Sequence, residues 1–90
     1  MQKEIKINLT APAALRKWPS RNNEAISAAD GARPYLILDG TLRECIDGFM
    51  AKPIVQQHLY EIHTAPQGEI ISAVLSSKLI VELARLRDFL

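Results

Sequence analysis

Ninety residues that are 48% hydrophobic make one small domain, too apolar to be disordered as a whole. Eleven Lys and Arg against ten Asp and Glu leave a net charge of +1, which gives no long-range pull towards nucleic acid or an anionic membrane. One cysteine excludes an internal disulfide, and with two histidines it supplies too few ligands for a structural zinc site.

The first element in chain order is Lys3–Leu9, where Ile5, Ile7 and Leu9 alternate with charged and polar residues. A period of two predicts a half-buried strand. The alternation also lacks the continuous apolar stretch of a signal peptide, and the longest uncharged run, Ile7–Leu15, is nine residues. A membrane helix needs about 20. A cytoplasmic protein with no membrane partner is expected. Thr10-Ala11-Pro12 then predicts the start of a short helix, with proline in the first turn and an end before Pro19.

Residues 19–33, PSRNNEAISAADGAR, contain one large apolar residue, Ile26, and predict a mobile surface loop. Tyr35-Leu36-Ile37-Leu38, bounded by Pro34 and Asp39-Gly40, predicts a short strand covered on both faces and therefore central in a sheet.

A helix follows. Thr41 stands three before Glu44, the spacing of a capping box, and Leu42, Cys45, Ile46, Phe49 and Met50 form one apolar stripe at helical spacing. Pro53 closes it. Cys45 falls within the stripe, which predicts a buried, inert thiol rather than a reactive one. Gly48 is costly inside a helix and points either to a close approach of another backbone or to an early end of the helix.

Ile54–His58 predicts a further helical turn, and Leu59–Thr64 a strand with Tyr60 and Ile62 on one face. Ala65-Pro66-Gln67-Gly68 has the residues of a type I turn, leading into a strand over 69–75. Ser76 or Ser77 caps a last helix in which Leu79, Leu83, Leu86 and Leu90 recur at 4-3-4 spacing. The expected fold is an α+β two-layer sandwich of about four mostly antiparallel strands, with two main helices on one face.

Chemistry is sparse. No nucleotide-binding or hydrolase motif is present, and nothing calls for a cofactor. His58 and His63, five apart, chelate on neither a strand nor a helix. The expected function is a non-catalytic protein-interaction or regulatory module that self-associates as a homodimer. Its candidate contact residues are Val81, Arg87 and Phe89 of the last helix, the first and last lying off the core stripe, with Trp18, Arg16 and Lys17. The alternative is a small enzyme or ligand-binding protein with its site at the strand ends near Asp39, Glu61 and His63. A third reading is weak nucleic-acid binding through Arg16, Lys17, Trp18 and Arg21, which the charge balance disfavours.

Overall fold

A computed structural model describes residues 7–88. In chain order its elements are β1 (Pro12–Lys17), β2 (Ser20–Arg21), β3 (Glu24–Ala25), β4 (Tyr35–Thr41), α1 (Leu42–Met50), β5 (Tyr60–Thr64), β6 (Val74–Leu75) and α2 (Ser77–Arg87). Short 3₁₀ segments cover Ala28–Asp30 and Ile54–Leu59. Among these residues, one four-stranded sheet has the order β4-β1-β5-β6 with every neighbouring pair antiparallel, and β2 with β3 makes a separate hairpin. Because β4 and β5 both run antiparallel to β1, they run parallel to each other on either side of it. The β4-α1-β5 passage is thus a split βαβ unit.

The core forms where the helices meet one face of the sheet. Ala13, Leu15, Ile62 and Leu75 point into it from the strands, and Leu42, Cys45, Ile46, Phe49, Ile80 and Leu83 from α1 and α2. Phe49 meets Tyr60 edge to face, with ring centroids 6.5 Å apart. The two-layer α+β sandwich is the one the apolar periodicities predict.

Helix α1 begins as the sequence requires. Thr41 Oγ1 accepts from the Glu44 amide at 3.1 Å, and Glu44 Oε1 accepts from the Thr41 amide at 3.0 Å. Its glycine has a structural reason. A Cβ on Gly48 would lie 3.3 Å from a Leu38 methyl and 3.4 Å from a Leu15 methyl, so glycine lets α1 sit close on the sheet. Ser76 caps α2, accepting from the Leu79 amide.

Several expectations are corrected. The short helix after Thr10 is the strand β1. Ala13 and Leu15 alternate into the core, and hydrogen-bonded ladders to β4 and β5 on both sides outweigh the helix-start chemistry of Pro12, which sits harmlessly at the strand's first position. Of the predicted strand 3–9, residues 7–9 are not strand, although Ile7 and Leu9 pack against the core; its remainder lies outside the described residues. Strand β4 lies at the sheet edge, not its centre, and Tyr35, Leu36 and Ile37 are exposed. Four apolar residues in a row fit a strand covered on both faces, but they fit an edge strand awaiting a partner equally well.

Within 19–33 the chain forms the β2–β3 hairpin, turning at Asn22 and Asn23, both at positive φ. The turn expected at 65–68 falls instead over 68–70, with Gly68 at φ 59° and Gln67 and Ile71 bonded backbone to backbone. Ile71 is fully buried, and carrying it inward shortens the following strand to Val74–Leu75.

Candidate functional site

The sheet face away from the helices carries the residues that strand alternation excludes from the core. On β1 these are Ala14 and Arg16, on β5 Glu61 and His63. Across the strands Asp39 pairs with Ala14 and Ala14 with His63, so a single alanine separates Asp39 from His63. One row along, Leu36, Arg16 and Glu61 align in the same way. The expected grouping of Asp39, Glu61 and His63 is therefore real as a shared face.

It is not a shared pocket. A cavity of about 410 Å³ opens at the β1 end of this face, between Trp18, Ile26, His58, Tyr60, Glu61 and Ser76. Asp39 and His63 do not line it. Glu61 is the hub here. Its Oε1 accepts the indole N–H of Trp18 at 2.6 Å, and its Oε2 pairs with His63 Nε2. Trp18 is placed for this by its own amide, which donates to the Leu59 carbonyl at 2.8 Å. The hairpin closes over the same end: His58 Nε2 bonds the Asn23 carbonyl at 2.7 Å, and the Asn23 side chain donates to the Val55 carbonyl at 2.8 Å.

The predicted basic cluster does not form one surface. Arg16 and Lys17 leave β1 on opposite faces, and Lys17 Nζ lies 5.6 Å above the Tyr60 ring. The Trp18 indole edge is occupied by Glu61, while Arg21 is exposed on the hairpin. In α2, Val81 packs against the core rather than off it. Arg87 pairs with Asp47 at 2.5 Å, fastening α2 to α1. Phe89 lies outside the described residues.

The cysteine of the opening helix is fully buried, with Sγ 3.9 Å from the Leu38 carbonyl, and burial pushes its pKa up to about 11. Among the described residues no group of three His, Cys, Asp or Glu is placed to hold a metal ion, and no helix is long and apolar enough to cross a membrane.

The most prominent surface feature was missed at the sequence level. Tyr35, Leu36 and Ile37 are 47%, 51% and 39% exposed along β4. Among the described residues nothing pairs with the outer edge of that strand. The pairing with β1 skips Ile37, a bulge that, with Pro34 at the strand's start, partly guards the edge. The usual strongest guard is missing, because no charged residue stands between Arg33 and Asp39. Comparisons with protein-family models, with curated proteins and with solved structures find no match.

Proposed function

We propose that this protein is a non-catalytic interaction module that accepts an added strand on the outer edge of β4 and self-associates. The observation that carries the reading is the row of exposed Tyr35, Leu36 and Ile37 on an edge strand whose outer side pairs with nothing among the described residues. Strand addition satisfies those groups through main-chain hydrogen bonds and covers the apolar side chains at the same time. A cytoplasmic location fits the single unpaired thiol of Cys45. Sedimentation at tens of micromolar tests the reading: a species of about twice 10.0 kDa is expected, and Leu36→Lys is expected to weaken it at least ~10-fold by placing a charge on the edge. A dimer indifferent to Leu36→Lys would remove the edge from the account.

A second reading, a small-ligand site in the Trp18–Glu61 cleft, is favoured by one observation. A carboxylate held by two side-chain donors stands beside aromatic walls and about 410 Å³ of space, within the size range of ligand pockets. Titrating small organic amines while following Trp18 fluorescence tests it. A saturable change abolished in Glu61→Gln supports this reading, and no change with any amine counts against it.

A further inference from the structure

The cleft between Trp18 and Glu61 has one wall that does not belong to the main sheet. Ala25, Ile26, Ser27 and Ala28 line it from the β2–β3 hairpin and the 3₁₀ turn that follows. Ala25, Ile26 and Ser27 also border a second hollow of about 670 Å³, with Arg21, Glu24 and Asp30. The segment thus borders open space twice. Residues 20–25 are all exposed, and Ile26 is half-buried. A lone two-stranded hairpin is marginally stable, so its fastenings decide where this one lies.

Those fastenings are unevenly placed. Before the hairpin, Trp18 is fixed twice, by its amide to the Leu59 carbonyl and by its indole to Glu61. Beyond it the chain leaves through Gly31 at φ 85°, with nothing within 4 Å of the place a Cβ would occupy. The tip is held by one residue. The Asn23 side chain donates to the Val55 carbonyl at 2.8 Å, and the Asn23 carbonyl accepts from His58 Nε2 at 2.7 Å. A carbonyl only accepts, so that nitrogen carries a hydrogen. Among the described residues no other hydrogen bond joins the hairpin to the Ile54–Leu59 segment.

Resting on the reading of this cleft as a small-ligand site, we infer that residues 19–31 form a lid over it, latched by Asn23. The lid hinges where the chain leaves Trp18 and at Gly31. Breaking two hydrogen bonds at one residue frees it, while the pairing of Ser20 with Ala25 and of Arg21 with Glu24 persists. An open lid admits a ligand to the Glu61 carboxylate, and a closed lid sets Ile26 against the ligand's apolar part. Segments with few buried contacts supply such gates, because their opening costs little of the global stability. A ligand that touches Ile26 binds the closed state better and shifts the lid shut.

Asn23→Gly cuts the latch without breaking the turn. Glycine accepts the φ of 64° found here and suits a two-residue hairpin turn with both central residues at positive φ. It has no side chain to bond the Val55 carbonyl. Losing one of the two hydrogen bonds is expected to raise the open-to-closed ratio about fivefold. Trp18, the single tryptophan, reports the change as stronger quenching by acrylamide. Asn22→Gly alters the same turn and removes neither latch bond, so its quenching is expected to match wild type. Unchanged hydrogen-exchange protection of the β1 and β5 amides shows that the sheet stays folded.

Equal quenching in Asn23→Gly and Asn22→Gly, whether at the wild-type level or above it, overturns the latch. Loss of β1 and β5 protection in Asn23→Gly makes the hairpin a support of the fold and overturns the lid. Stronger quenching in Asn23→Gly, with an amine that binds wild type entering no faster, means that the hairpin moves without gating, which also overturns it. Failure of every amine to bind removes the ligand reading alone, because acrylamide quenching decides the latch without a ligand.

Discussion

Trp18 and Glu61 are 43 residues apart in sequence, yet the indole N–H reaches the carboxylate at 2.6 Å. The bond spans the β1–β5 pairing at the point where β1 ends, so it ties the segment leaving the sheet back onto it. Removing the acceptor leaves a half-buried N–H without its partner. Glu61→Leu is expected to destabilise the fold by about 1–2 kcal/mol, read from urea unfolding. The double-mutant cycle of Trp18→Phe with Glu61→Leu is expected to show coupling of about 0.5–1.5 kcal/mol. Additive effects would mean that the contact contributes nothing in solution.

Cys45 supplies a chemical and a pH test. A thiol reagent is expected to modify the native protein at least ~10-fold more slowly than the unfolded chain, because access requires local opening. Cys45→Ser is expected to cost about 1–3 kcal/mol by burying a hydroxyl without a full partner.

The raised pKa of the same thiol has a sign that can be worked out. Its ordinary value is 9.0 and burial raises it to about 11, so between these the unfolded chain has released the proton while the folded one keeps it. The contribution is therefore full below pH 9 and falls as pH rises towards 11. At about 1.4 kcal/mol per unit the loss is on the order of 2–3 kcal/mol. Other groups titrate in this range, so the measurement is the difference between wild type and Cys45→Ala. A difference that stays flat from pH 8 to 11 would contradict the burial of the thiol.

Gly48 separates helix propensity from packing. Alanine gains about 1 kcal/mol in the helix but must push aside methyls of Leu38 and Leu15 at 3.3 and 3.4 Å, so Gly48→Ala is expected to lie within about 1 kcal/mol of wild type. Gly48→Val adds two methyls to the same gap. Denaturant unfolding is expected to show a loss of about 1–3 kcal/mol.

The capping box gives the simplest test. Thr41→Ala removes the acceptor for the Glu44 amide and is expected to cost about 1 kcal/mol, measured by thermal unfolding. Glu44→Ala removes the reciprocal bond to the Thr41 amide. Because the two bonds share one turn, the double variant is expected to cost less than the sum of the singles.

Helix α1, its cap, its buried cysteine and the N-cap of α2 were legible because each depends on neighbours within a few residues along the chain. Tyr60 and Ile62 were legible on one face of β5 for the same reason: alternation is a local pattern. Strand β1 was not, since Pro12-Ala13-Ala14-Leu15 carries helix-start residues and only its two ladder partners, 18 to 51 residues away, make it a strand. The cleft was half legible. Glu61 stood out as a candidate, but the hairpin that closes over it turns on Asn22 and Asn23, and that Asn-Asn pair was the turn signal passed over.

By itself, then, the amino-acid order determined the two helices, the layer architecture and the exclusion of an internal disulfide, because apolar spacing and residue inventory act locally or by count. Only the tertiary structure decided that Tyr35-Leu36-Ile37 lies on an edge left open among the described residues, that Val81 packs against the core, and that Arg87 is held by Asp47. Those outcomes depend on strand order and helix docking, which are set by the total apolar area buried across distant segments. A run of four apolar residues carries no information about which of its neighbours will be present to cover it.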